Sequence, residues 1–106
     1  MKLFLNVPLS LEEVASVVGK IALPDYPPQR REGLNLGGGD YFIFTKESST
    51  VLLVCNDDRH AEVYVESQKA FPYYLYVLRG GDGVLEKAHE ALSKRGIECR
   101  LKAESP

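Results

Sequence analysis

The side chains best suited to chemistry stand together in the segment Asn56-Asp57-Asp58-Arg59-His60, directly after a strongly apolar run. Two carboxylates and an imidazole this close together could act as an acid–base pair or supply part of a metal site. The sequence places no second group of ligands at helical or hairpin spacing from them. Because Asn and Asp side chains in such clusters commonly bond nearby backbone, we interpret the segment as a solvated turn.

The nucleophilic side chains also lack the neighbours that would activate them. Cys55 and Cys99 lie in apolar, strand-like runs with no CxxC pattern, so we expect both to be small buried residues, although a disulfide between neighbouring strands stays open. None of the serines stands in a nucleophile-elbow motif. The run Gly37-Gly38-Gly39 is not followed by the Lys-Ser/Thr pair of a phosphate-binding loop. We therefore expect no catalysis and no bound metal or cofactor.

The composition is that of one soluble domain. The chain has 106 residues, of which 44% are hydrophobic and 26% charged, so we treat residues 1–106 as a single domain. A net charge of −2 argues against nucleic acid as a partner, since phosphate binding needs a basic surface, although a local basic patch stays open. The N-terminal apolar run is too short for a signal peptide, and no segment is long enough to cross a bilayer. We expect a cytoplasmic protein that does not bind membranes.

The most regular stretch runs from Phe71 to Leu101. Its periodicity predicts a buried strand over Pro72–Arg79, a glycine turn, an amphipathic helix, and a second strand over Ile97–Lys102. Asp82 is predicted as the N-cap of this helix, and Gly96 as the left-handed residue that ends it.

The N-terminal part predicts a strand over Lys2–Val7 and a helix over about Leu11–Ala22, introduced by a capping box of Ser10 and Glu13. The next segment, Leu23–Asp40, contains three prolines and shows no helical or strand period. Connections of this length are usually functional or disordered, and both alternatives stay open.

Three further strands are predicted in the middle of the chain. Tyr41–Lys46 and Thr50–Asn56 flank a hairpin loop of Glu47-Ser48-Ser49, and the continuous apolar run Val51–Cys55 indicates a central strand that is covered on both faces. Ala61–Ser67 alternates in polarity, which predicts a strand whose polar face, with Glu62, Tyr64 and Glu66, is exposed to water.

The predicted order of elements is therefore β-α-β-β-β-β-α-β. It favours an α+β two-layer sandwich, with a mixed, mostly antiparallel sheet of about five or six strands and two helices on one face. A variant of the ferredoxin-like fold has a similar order of elements. The other face of the sheet would then meet solvent, a partner or a second copy.

Tyrosines are concentrated in the predicted strand 73–79. Tyr74 and Tyr76 point to one face of the strand and Tyr73 points to the other. Such residues can pack in the core with their hydroxyls at its rim, or they can anchor a binding partner, since Tyr is enriched at interface hot spots. Both interpretations stay open.

In size, in acidity, and in the runs Gly37–Phe44, Asn56–Asp58 and Pro72–Tyr76, the chain resembles the small mixed α/β immunity proteins that bacteria carry beside polymorphic or contact-dependent toxins. The resemblance implies a tight complex with a cognate toxin protein. Carboxylates would then face a basic toxin cleft and tyrosines would anchor the contact. The candidate partner-binding residues are Asp40, Glu47, Asp57, Asp58, Glu62, Tyr64, Glu66, Tyr73, Tyr74 and Tyr76.

Two other functions remain open. One is a small-ligand-binding or regulatory module of ferredoxin-like type, which would act as a homodimer with a pocket lined by the loop before Asp40. The other is a purely structural subunit of a larger assembly.

Overall fold

The computed structural model describes residues 1–33, 39–57 and 64–103. Within these ranges the chain forms six strands, two α-helices and a single 3₁₀ turn. In chain order they are β1 (Lys2–Asn6), α1 (Leu11–Ile21), β2 (Pro28–Gly33), β3 (Gly39–Lys46), β4 (Ser49–Cys55), the 3₁₀ turn (Glu66–Gln68), β5 (Tyr73–Arg79), α2 (Val84–Lys94) and β6 (Glu98–Lys102).

The six strands form one sheet in the order β2-β3-β4-β5-β1-β6, and every neighbouring pair among them is antiparallel. The fold is therefore α+β, as predicted. The parallel pair of strands that a mixed sheet contains is absent from these pairings. β1 lies between β5 and β6 and is antiparallel to both. Without β2 and β3, the elements follow the β-α-β-β-α-β order of ferredoxin-like folds, to which β2 and β3 add a hairpin at one edge.

The main core lies between the sheet and the two α-helices, which both pack on the same face. Alternate residues of the central strands point toward the helices and join the apolar stripes of α1 and α2. The fully buried members of this core are Leu3, Leu5, Val14, Val18, Phe44, Val51, Leu53, Leu75, Ala88 and Leu92.

A second apolar cluster lies on the opposite face of the sheet, which we call the outer face. It consists of Phe4, Leu52, Val54, Phe71 and Tyr74. Phe71 belongs to a segment, residues 64–72, that lies on this face and that we call the strap. Since β4 contributes Val51 and Leu53 to the main core and Leu52 and Val54 to the outer cluster, it is covered on both faces, as its continuous apolar run predicted.

Two of the helix ends are formed by the short sequence motifs that predicted them. The predicted capping box is confirmed: the Ser10 hydroxyl accepts from the Glu13 backbone N–H at 3.2 Å, and the Glu13 carboxylate accepts from the Ser10 backbone N–H at 3.0 Å. Hydrogen bonding of the Glu13 carboxylate, first to the backbone N–H and then to the side chain of Ser10, holds the pKa of Glu13 below its usual value. Gly96 ends α2 with a φ of +79°, as predicted.

The predicted N-cap of α2, Asp82, is wrong. Gly80, Gly81 and Gly83 all have positive φ, so the turn continues for one residue beyond Asp82, and α2 begins at Val84 after the N-cap residue Gly83. Glycine adopts this left-handed conformation without steric penalty, which explains why the turn extends through it.

Part of the segment 23–40 is regular, contrary to the sequence prediction. Pro28–Gly33 forms β2, an edge strand that pairs with β3. Apolar alternation does not reveal this strand, because an edge strand with charged side chains is ordered by pairing rather than by burial. A proline is tolerated at the first residue of such a strand. Residues 34–38 lie outside the described ranges.

The predicted strand over Ala61–Ser67 is also wrong in its described part. Tyr64 and Val65 are irregular and the 3₁₀ turn begins at Glu66, while residues 61–63 lie outside the described ranges. The backbone N–H and C=O of Val65 are bonded to the side chain of Asn56 instead of to a neighbouring strand. The loop between β3 and β4 is also shorter than predicted, with two residues, Glu47 and Ser48.

Cys55 and Cys99 are both thiols outside any disulfide, and both are partly buried. They lie on β4 and β6, which are not neighbours in the sheet, so the disulfide that the sequence left open is not formed. No α-helix in the described part of the chain is long and apolar enough to span a membrane.

The two glycines that flank α2 offer a matched test of the turn. Both have positive φ, but a Cβ on Gly80 would lie 2.7 Å from the backbone oxygen of Ser48, whereas a Cβ on Gly96 would meet no atom within 4 Å. We expect Gly96→Ala to lower the free energy of unfolding by about 1 kcal/mol, and Gly80→Ala to lower it by about 2 to 3 kcal/mol. Urea denaturation measures both values. Equal losses would contradict the close contact between this turn and the β3–β4 hairpin.

Candidate functional site

The outer face carries two straight rows of side chains that cross all six strands. The strand registers give the first row as Arg31, Tyr41, Val54, Tyr74, Phe4 and Arg100, and the second as Gln29, Ile43, Leu52, Tyr76, Lys2 and Lys102. In both rows the aromatic and aliphatic residues occupy the middle strands. Polar residues, mostly cationic, occupy the edges.

The middle of the outer face is an aromatic cluster. The ring of Tyr74 lies 5.4 Å from that of Phe4 and 5.9 Å from that of Tyr76, and Phe71 of the strap meets Phe4 edge-on at 6.2 Å. Phe4 and Tyr74 are buried, whereas Tyr76 is partly exposed. Partial burial raises the pKa of the Tyr76 phenol, and the nearby phenol of Tyr41 raises it further. Tyr41 and Tyr76 both pack against this cluster.

The strap is attached to the sheet by one buried side chain, that of Asn56. Its amide nitrogen donates to the carbonyl oxygens of Val65, Gln68 and Phe71 at 3.0 to 3.3 Å, and its amide oxygen accepts from the backbone N–H of Val65 at 2.7 Å. The backbone N–H of Asn56 also donates to the Pro72 carbonyl oxygen. One residue at the end of β4 thus satisfies backbone groups along the length of the strap.

Arg100 of β6 holds the strap from the other side. Its guanidinium lies over the Phe71 ring, 5.0 Å from the centroid, and donates a hydrogen bond to the side-chain oxygen of Gln68 at 3.2 Å. Stacking and hydrogen bonding of this kind suit the planar guanidinium. The strap is therefore fixed both at the end of β4 and at the β6 edge.

Beside the aromatic cluster, the outer face presents apolar groups to solvent. Tyr41, Ile43 and Tyr76 are partly exposed, and Leu78, two residues beyond Tyr76 on β5, is 59% exposed. We call these four residues the outer-face patch. Contiguous exposed apolar surface is characteristic of interaction sites, so this patch is the best candidate for a contact surface in the described part of the chain.

The predicted acidic residues that the structure describes are not collected on one surface. Asp40 lies at the start of β3 and Glu47 in the turn after its end, so the strand length separates them by roughly 20 Å. Asp40 already accepts a hydrogen bond from Arg30, which also binds Glu12 of α1. The hydrogen bond that Arg30 donates to Asp40 raises the pKa of Arg30. This three-residue ion-pair group is on the helix side of the sheet.

Three of the predicted residues do lie together. Asp57, Tyr64 and Tyr73 line a cavity of about 470 Å³ at the end of β4, together with Lys69 of the strap. Glu66 is exposed on the 3₁₀ turn. Asp58 and Glu62 lie outside the described residues.

The tyrosines divide between the two roles that the sequence left open. Tyr73 is buried on the helix side and its hydroxyl donates to the carbonyl oxygen of Leu9, while Tyr74 is buried in the outer cluster. Both pack in the core. Tyr76 alone of the three is partly exposed on the outer face, where it can also contact a partner.

The basic residues at the edges of the outer face were missed at the sequence level. A signal was present in β6, where Arg100 and Lys102 alternate with Cys99 and Leu101 and so share one face. Arg31 offered no such signal, because the strand that carries it was not predicted. Lys2 could be placed only once the register of β1 against β6 was known.

Among the described residues, no group of three or more His, Cys, Asp or Glu side chains is arranged to hold a metal ion. Comparison with family models, with curated proteins and with solved structures found no match to this chain.

Asn56 should contribute strongly to stability through its bonds to the strap. We expect Asn56→Ala to lower the free energy of unfolding by about 3 kcal/mol, because it leaves several backbone groups of the strap without their partner. Asn6→Ala is the matched control: Asn6 is exposed and donates one side-chain hydrogen bond, to Glu98, so its loss should stay below about 0.5 kcal/mol. Chemical denaturation measures both. A similar small loss for the two variants would show that the strap does not depend on Asn56.

Alkaline pH should destabilise the fold through its tyrosines. Burial raises the pKa of Tyr73 and of Tyr76 above the ordinary value of 10.0, so the folded chain keeps these protons longer than the unfolded chain does. Their contribution to stability is complete below pH about 10 and is lost as the pH rises through the folded pKa values. Unfolding measured from pH 8 to 11 should show this decline, and Tyr76→Phe should make it shallower. A stability that rises with pH in this range would contradict the assignment.

Proposed function

We propose that this chain is a protein-binding inhibitor of the immunity-protein type, which neutralises a partner protein by binding it through the outer-face patch. The observation that carries the proposal is the patch itself: two tyrosines and two aliphatic residues, partly or largely exposed, on the sheet face opposite the helices. Tyr side chains supply large contact area at a small entropic penalty and are enriched among interface hot spots.

The backbone beneath the patch supports the proposal because it is already ordered. Ile43 and Tyr76 flank Leu52 in register on three hydrogen-bonded strands, and Leu52 is buried. Little backbone entropy would be lost when a partner binds such a surface, so more of the contact energy would remain as affinity.

The charge around the patch indicates what the partner surface should look like. Arg31 lies at the β2 edge of the outer face, and Lys2, Arg100 and Lys102 lie at the β1 and β6 side. A complementary partner would therefore be apolar at its centre and neutral or acidic at its rim. This differs from the basic cleft that the resemblance to immunity proteins implied. Of the predicted carboxylates that the structure describes, Asp40 lies on the helix side, and Asp57 and Glu66 lie beside or on the strap.

A second copy of the chain fits this face less well than a different protein does. In a dimer formed face to face, the two-fold axis lies in the plane of the interface. Depending on the direction of this axis, each edge strand faces either the same edge or the opposite edge of the other copy. On this face the β2 edge carries Arg31, and the β6 edge carries Arg100 and Lys102 against one acid, Glu98. Either arrangement would therefore bring together edges of like net charge. The proposal is thus for a heterologous partner.

Site-directed photocrosslinking in the cell that produces the chain tests the proposal. We expect a photoreactive residue placed at Tyr76 or Leu78 to capture one protein that the same residue at Lys87, exposed on α2, does not capture. The captured protein should inhibit growth when expressed alone, and coexpression of this chain should restore growth. Capture of the same protein only from Lys87, or no protection from its activity, would rule the proposal out.

Once the partner is purified, substitutions in the patch should weaken the complex. We expect Tyr76→Ala and Leu78→Asp each to raise the dissociation constant at least about 30-fold, since buried aromatic and aliphatic anchors commonly contribute about 2 kcal/mol or more. Lys87→Ala serves as the control and should leave the affinity unchanged. Calorimetric titration gives the values, with thermal unfolding of each variant to verify the fold.

A further inference from the structure

A second feature of the outer face lies where β1, β6 and the strap meet. There the side chains line an open cavity of about 610 Å³, which is within the volume range of small-molecule binding sites. Lys2 and Lys102 line it from the sheet, Val65, Ser67 and Gln68 line it from the strap, and Phe4 forms its floor.

The two lysines give the cavity its charge. Lys2 of β1 and Lys102 of β6 are directly opposed in the sheet register, so both side chains project from the same face at neighbouring positions. The Lys2 ammonium lies 5.7 Å from the centroid of the Tyr74 ring, which holds it over the sheet. An anion placed between them would contact both ammonium groups.

The rest of the lining suits an uncharged, flat group. Val65, which is partly exposed, and the rim of the Phe4 ring, which is 2% exposed, provide apolar surface. Ser67 and Gln68 provide polar side chains, and none of the described residues that line the cavity is acidic. Arg100, which binds the side chain of Gln68 and stacks on Phe71, keeps this wall in place and adds a third positive charge nearby. The cavity thus combines a cationic side with an apolar floor.

We propose that this cavity binds a small organic anion, with a phosphate or carboxylate group between the ammonium groups of Lys2 and Lys102 and a planar body against Phe4 and Val65. The proposal does not depend on the protein partner proposed above, since the cavity and the outer-face patch have no lining residue in common.

Titration of the isotope-labelled chain, followed by amide chemical shifts, tests the proposal with probes that separate its parts. The probes are adenosine 5′-monophosphate and 2-naphthoate, which carry a planar body with a phosphate or a carboxylate, and adenosine and inorganic phosphate, which each lack one part. We expect at least one of the two planar anions to bind at millimolar concentration or below, with shifts confined to β1, β6 and the strap. Adenosine and inorganic phosphate should each bind at least about tenfold more weakly than that probe.

Three variants then locate the site. Lys102→Gln should weaken binding of the planar anion about tenfold. Lys87→Gln makes the same change of net charge on α2 and should have no effect. Ser67→Trp should abolish binding by filling the cavity without changing the charge, and the amide spectrum of each variant verifies that it is folded. Failure of both planar anions to bind, equal affinity for adenosine or inorganic phosphate, or an equal effect of Lys87→Gln would each overturn the proposal.

Discussion

The sheet has more apolar surface than its two α-helices can cover. The strap covers part of the remaining surface, and the buried amide of Asn56 holds the strap in place. Both helices pack on one face, yet β1, β4 and β5 also direct Phe4, Leu52, Val54 and Tyr74 to the other. A strap laid across that face brings backbone N–H and C=O groups into a partly buried place, where each needs a partner. Asn56 supplies both donors and an acceptor from a single position. An irregular segment can therefore cover part of an apolar sheet face, which would otherwise need a third helix.

The strap covers only part of the outer face, and this determines where contact surface remains. Val65 and Phe71 protect the aromatic cluster near Phe4, while Tyr76 and Leu78, farther along β5, stay partly or largely exposed. In the two rows, the charged residues lie on β1, β2 and β6, and all of them are basic. One acid, Glu98 of β6, lies on the same face beyond the rows and accepts a hydrogen bond from Asn6. The mild overall acidity of the chain thus gives no indication of the local charge, because several carboxylates, such as Glu12 and Asp40, lie on the helix side.

Sequence patterns correctly predicted structural features that depend on residues close together in the chain. They failed for features that depend on contacts between distant residues. The capping box of α1, the glycine after α2 and the doubly buried β4 each rest on a short run of residues, and each prediction is confirmed. β2 was missed because its order comes from pairing with β3. The strap was mistaken for a strand because its backbone partner, Asn56, is 9 to 15 residues away. The positions of the predicted acidic residues depend on the strand register and on the strap, which their local sequence does not reveal: Asp40 lies on the helix side, and Asp57 lies beside the strap.

The two candidate sites on the outer face share a border, which has a physical consequence. Tyr76 of the patch and Lys2 of the cavity are directly paired across β5 and β1. An anion held at Lys2 would reduce the positive potential beside the patch, and so would weaken the attraction for a partner with an acidic rim. Because such coupling is reciprocal, the same partner would weaken binding of the anion by an equal factor. One face of this sheet could therefore make protein binding depend on a small ligand without any change in the fold, since electrostatic potential alone would connect the two sites.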